Sequence, residues 1–126
     1  SSLSDLAMEN LSFSLKDMIF LRKLWLIFAR TRSMTNKGVE SLACAIKKLE
    51  NLRDLTVQFG WNDDIDEKGA EMMGQTLLNL PDLEVVDLGF GDCMMLSYKK
   101  GDLLNLFRKI KTKKRNCQVF IDSLPV

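Results

Sequence analysis

The chain has 126 residues, 46% of them apolar and 28% charged, which suits one soluble globular domain or a piece of a larger one. Eighteen basic and seventeen acidic side chains leave a formal net charge of +1, so no bulk charge selects a partner. There is no histidine, which excludes Ser-His and Cys-His catalysis and every histidine-containing metal site.

Elements follow in chain order. An amphipathic helix is expected over about 4–19, then a short strand in Leu21–Phe28, where apolar residues alternate. GVESLACAIKKL (Gly38–Leu49) spaces Val39, Leu42, Ala45, Ile46 and Leu49 as one helix face. LRDLTVQF (Leu52–Phe59) is the next strand, GAEMMGQTLLNL (Gly69–Leu80) the next helix, and Pro81 closes it. A third strand begins at Leu83, a divergent helix covers about 98–111, and a last strand runs Gln118–Asp122. Val119 and Ile121 take its apolar positions, and the tail reads as a terminal cap.

Shifting the chain by 31 residues superimposes it on itself. Leu21, Leu52 and Leu83 share a column, as do Leu24, Leu55 and Val86; Leu26, Val57 and Leu88; and Phe28, Phe59 and Phe90. The helices repeat as well, through Leu11, Leu42 and Met73; Leu15, Ile46 and Leu77; and Met18, Leu49 and Leu80. Ser4, Thr35, Asp66 and Ser97 occupy the column before each helix, and all four are N-cap residue types. One strand-helix unit cannot bury both its faces, whereas stacked units join their leucine columns into a continuous core.

L-x-x-L-x-L followed by a loop and a helix resembles the leucine-rich repeat, in LRKLWL (Leu21–Leu26), LRDLTV (Leu52–Val57) and LEVVDL (Leu83–Leu88). The full helix and the D-E-K-G-A opening at Asp66–Ala70 resemble the ribonuclease-inhibitor-like class. The usual asparagine after the strand is missing, its column holding Ala29, Gly60 and Gly91, with Asn62 nearby once. The inward Phe28, Phe59 and Phe90 are expected to stack in its place. The resemblance implies an α/β solenoid, a right-handed βα superhelix with a parallel concave sheet and outer helices. Its units would be about 21–51, 52–82 and 83–114, after the incoming helix at about 4–19 and before a capping strand at about 115–126. No strand precedes the incoming helix, so its open side is expected to continue into more repeats, making the chain the C-terminal part of a longer horseshoe.

On this plan the concave face carries Lys23, Trp25 and Ile27, then Asp54, Thr56 and Gln58, then Val85, Asp87 and Gly89. Trp25 beside Ile27 reads as an anchor for a partner or as an apolar pair covered by upstream residues. Trp61, in the loop GWNDD, is either a contact residue or a cover for the helix layer. Arg32 and Asp63 share a column and are placed to pair across neighbouring units.

The acidic cluster around Asp63, Asp64, Asp66 and Glu67 fails the calcium-loop template, with Glu67 where glycine is required and Met73 where glutamate is required. Helix capping by Asp66, with Glu67 at the positive end of the dipole, explains it better. Cys44, Cys93 and Cys117 form no CxxC pair, which points to a reducing, cytoplasmic compartment. Cys44, aligned with Phe13, is expected to be buried; Cys117, after KTKKRN, is the one thiol in an electropositive setting. GFGDC (Gly89–Cys93) lacks the spacing and the lysine of a phosphate loop, and no cofactor or metal is expected. The longest apolar run, Leu24–Ala29, is far short of the roughly 20 residues of a membrane span.

The even charge hides an asymmetry. Lys99, Lys100, Arg108, Lys109, Lys111, Lys113, Lys114 and Arg115 against Asp102 alone make that segment +7 and leave −6 for the rest. It is either a solvated capping helix or a patch for an acidic protein, RNA or an anionic membrane. Tyr98 and Phe107 are its only aromatics, which argues against nucleic acid as the partner. The function expected is protein–protein interaction without catalysis, through the concave face and adjacent loops, with another protein or other domains of a longer chain. The resemblance implies two settings: the ligand-sensing or autoinhibitory end of a nucleotide-binding, leucine-rich-repeat innate immune receptor, or a structural subunit of an axoneme-like assembly.

Overall fold

The structure is a computed structural model that describes residues 2–28, 33–60, 62, 64–91, 100–114, 116–122 and 124–126, with the backbone alone described for 100–102. Strands and helices alternate along it. Helix α1 (Leu3–Leu15) leads to β1 (Lys23–Ile27), α2 (Asn36–Ile46), β2 (Asp54–Gln58), α3 (Glu67–Leu78), β3 (Val85–Gly89), α4 (Lys100–Lys113), β4 (Gln118–Ile121) and β5 (Leu124–Pro125).

The five strands form one sheet in the order β1-β2-β3-β4-β5. The first four are parallel, so each connection must carry the chain back along the sheet, and a helix does this each time. Lys23 pairs with Asp54 and Asp54 with Val85, Leu24 with Leu55 and Leu55 with Val86, so the 31-residue step of the sequence is the register of the ladder. The step to β4 is longer, Val85 facing Gln118, which puts Val119 and Ile121 opposite Val86 and Leu88 as their alternation requires. Each helix packs on the next, α1 on α2, α2 on α3 and α3 on α4. Leu42, Ile46, Met73 and Leu77 from the helices and Leu55, Val57, Val86 and Leu88 from the strands belong to one buried cluster.

Phe28, Phe59 and Phe90 stack as expected, with ring centroids 6.3 and 5.4 Å apart and planes within 23°. Asn62 also contributes. It is fully buried, its Oδ1 accepts from Met34 N at 3.0 Å, and its Nδ2 donates to Phe59 O. A single asparagine thus ties the loop after β2 to the segment before α2.

The helices end earlier than their apolar spacing predicts. After Ile46 and Leu78 the chain tightens into i→i−3 bonds, Leu49 N to Ile46 O and Leu80 N to Leu77 O. That turn carries Leu49 and Leu80 into the core although neither is helical. The capping column holds at Thr35 and Asp66, whose side chains accept from Lys37 N at 3.2 Å and Lys68 N at 2.9 Å. It fails at Ser4. Helix α1 starts at Leu3, where Ser2 on extended backbone accepts from Asp5 N, and the Ser4 hydroxyl lies 2.8 Å from that of Ser33. Ser97 lies outside the described residues.

Strand β5 is a departure from the sequence reading. Asp122 adopts a left-handed φ of 50° and reverses the chain, so that Leu124 and Pro125 pair antiparallel with Ile121 and Phe120. The Asp122 carboxylate accepts from Phe90 N at 2.8 Å and Gly91 N at 3.2 Å, fastening this corner to β3. Among the described residues no helix is long and apolar enough to cross a membrane.

Candidate functional site: the outward face of the sheet

Alternation along each strand sorts the side chains between two faces. Leu24, Leu55, Val57, Val86 and Leu88 point into the core, and the residues between them face away from it. Parallel register then aligns the outward residues in rows: Lys23, Asp54, Val85 and Gln118; Trp25, Thr56, Asp87 and Phe120; Ile27, Gln58 and Gly89. Every strand position expected on this face lies in these rows, Gly89 as a buried member. Gln118 and Phe120 belong to it as well, and the alternation of Val119 and Ile121 was the signal that could have placed them there.

Exposure across the face is uneven. Trp25 is 57% and Ile27 66% exposed, while Asp54, Thr56, Gln58, Val85 and Asp87 are half-buried. Trp25 is nevertheless held. Its indole Nε1 donates to Asp54 Oδ1 at 3.2 Å, and Lys23 Nζ sits 4.0 Å from the ring centroid. Gln58 Nε2 donates to Asp87 Oδ1 at 3.5 Å, and the same side chain lies across Gly89. A Cβ built on Gly89 would fall 1.7 Å from Gln58 Oε1, so only glycine lets Gln58 lie flat there. Gly89 is therefore a buried floor of the face, not the outward contact its column suggests. Trp61 lies outside the described residues, as do Arg32, Asp63 and Cys93.

The basic segment is partly committed to the fold. Lys111 Nζ donates to Val126 O at 2.9 Å, and Lys114 Nζ donates to Leu80 O just beyond α3. Burial pushes the Lys114 ammonium below the usual lysine value, and neighbouring Lys113 adds to this. Lys113 is exposed; Lys109 borders a groove between α3 and α4 that also holds Glu67, Glu71 and Lys68. Arg115 lies outside the described residues.

The cysteines divide in the opposite sense to their sequence reading. Cys44 is exposed, because the helix turns Leu42, Ala43, Ala45 and Ile46 inward and leaves position 44 outside; its column partner Phe13 is exposed too. Cys117 is buried, and burial pushes its thiol above the ordinary value despite nearby Lys114, the wrong direction for a nucleophile. Among the described residues no three His, Cys, Asp or Glu side chains are grouped to hold a metal ion.

Comparison of the chain with protein-family models, curated proteins and solved structures found no match.

Proposed function

We propose that this chain is a leucine-rich-repeat solenoid module that binds another protein, or another domain of a longer chain, through the outward face of its sheet, without catalysis. The 31-residue register of β1 to β3, the phenylalanine stack and the capped helices support the repeat architecture. One observation carries the binding role: Trp25 is 57% exposed on an open sheet face, yet anchored by Asp54 and Lys23. An exposed indole already fixed in one orientation loses little conformational freedom when a partner covers it, and tryptophan is over-represented among residues that dominate interface energy. Asp54 and Thr56 on the neighbouring strand, and Asp87 one strand further along the same row, are polar groups that can set specificity. The free thiols of Cys44 and Cys117 fit a reducing, cytoplasmic setting.

Affinity capture from cell extract, comparing the native chain with Trp25→Ala plus Asp87→Ala, tests the role. Recovery of specific partners should fall at least tenfold with the circular dichroism spectrum unchanged. Equal recovery by both chains removes the sheet face as the binding surface.

A further inference from the structure

Thr56, short and half-buried, stands at the middle of β2 among longer side chains. Trp25 on β1 and Asp87 on β3 flank it in its row, and Asp54 and Gln58 flank it along its own strand on the same face. Neighbouring strands lie about 4.8 Å apart and alternate residues of one strand about 6.6 Å apart, so all four stand within a side chain's length of Thr56. Gln58 lies across Gly89 on the next strand.

Hydrogen bonding within this ring is incomplete. Asp54 gives one oxygen to the Trp25 indole at 3.2 Å, and Asp87 gives one to Gln58 at 3.5 Å, which is long for such a bond. An ionised carboxylate accepts about four. Among the described residues neither carboxylate forms an ion pair, and the Thr56 hydroxyl has no hydrogen-bond partner. Lys23 is the one cation in the rows of the face, and its ammonium is held 4.0 Å from the Trp25 ring centroid. Two carboxylates against one ammonium leave these rows one positive charge short.

We propose, resting on the sheet face as the binding surface, that the partner presents an arginine to it. The guanidinium sits over Thr56, hydrogen-bonded by Asp54 and Asp87, with its flat side on the Trp25 indole. A guanidinium is a planar fork of N–H donors, so it can serve two carboxylates at once and stack on an aromatic ring. Lys23 shows that this ring carries a cation. An ammonium has no flat side, holds its water more strongly, and serves two carboxylates on different strands less well. The single charge it brings is the one the rows lack. A metal ion fits less well, since among the described residues no three acidic or thiol side chains are grouped.

Nuclear magnetic resonance titration of the native chain with N-acetylarginine methylamide tests this. Saturable shifts should appear at the Trp25 indole N–H and at the Thr56 and Asp87 amides. The citrulline compound, equal in shape but uncharged, should move none of them, and the lysine compound should bind at least threefold more weakly. Asp87→Asn, which keeps the side-chain size, should weaken arginine binding at least threefold with the rest of the spectrum unchanged. Equal affinity for the arginine compound and either of the others overturns the proposal, as does arginine binding indifferent to Asp87→Asn. Affinity capture separates this site from the wider reading. Capture lost on Trp25→Ala plus Asp87→Ala, with no shifts from the arginine compound, overturns the arginine site and leaves the face as the binding surface. Arginine shifts with capture unchanged support the site and remove the face as the surface for the captured proteins.

Discussion

Asp5 reaches out of its own helix to hold the start of the next. Its Oδ1 accepts from Thr35 N at 2.8 Å and Gly38 N at 3.0 Å, and its Oδ2 accepts from the Thr35 hydroxyl at 2.7 Å. One unit later Asn36 does the same work, its amide bridging Asp66 Oδ1 at 2.6 Å and Asp66 N at 3.2 Å. The glycines of the repeat explain themselves here. A Cβ on Gly38 would lie 2.6 Å from Asp5 Oδ1, and one on Gly69 would lie 2.4 Å from Asn36 Oδ1. Burial pushes the Asp5 carboxyl up, but the hydrogen bonds from Thr35, Ser2 and Gly38 outweigh it and hold the group below the usual aspartate value. A depressed carboxylate stabilises the fold above its unfolded-state value and loses that contribution as pH falls through the folded one. Asp5→Ala should therefore cost about 1–3 kcal/mol at pH 7 in urea unfolding, with the gap from the native chain closing below about pH 4. Gly38→Ala should also destabilise, by about 1–3 kcal/mol, although glycine to alanine inside a helix ordinarily stabilises by about 0.5–1 kcal/mol. A thermal melt with a raised midpoint would refute that packing. The sequence shows Asp5 and Asn36 at the 31-residue spacing, yet nothing in one unit tells which neighbour they serve; that needs the distance between helices.

At the scale of elements, what repeats was legible and what closes the array was not. The apolar columns of β1, β2 and β3 recur every 31 residues, and a one-residue slip would turn Leu55 and Val57 to solvent, so the register could be read directly. The phenylalanine stack follows from the same columns. Phe59, fully buried between two rings, should matter most: Phe59→Leu should cost about 1–3 kcal/mol in denaturant unfolding, and Phe28→Leu, half-buried at the β1 end of the stack, clearly less. Equal losses would mean that stacking adds nothing beyond area. Strand β5 escaped notice because two residues, one a proline, carry no periodicity, and because the left-handed Asp122 is not glycine. The burial of Cys44 was misjudged because its column partner Phe13 is apolar without being covered.

Across the whole molecule, the rows of the outward face follow from strand alternation plus register, and both were in the sequence. The unequal standing of its members was not. Trp25 differs from Thr56 and Asp87 in exposure because it lies on the edge strand, and its anchoring by Asp54 depends on a side-chain geometry that spacing does not encode. The +7 segment likewise looked like one patch, while the fold engages two of its lysines, Lys111 and Lys114, in hydrogen bonds to backbone carbonyls. The most direct test of the binding face is the dissociation constant of a captured partner for single alanine variants of Lys23, Trp25, Ile27, Asp54, Thr56, Gln58, Val85 and Asp87, set against Lys109 and Lys113. The loss should peak at Trp25, at tenfold or more, with Asp54 next and the two lysines of α4 within about twofold of the native chain. A loss centred on Lys109 and Lys113, with Trp25→Ala binding as the native chain does, would contradict it.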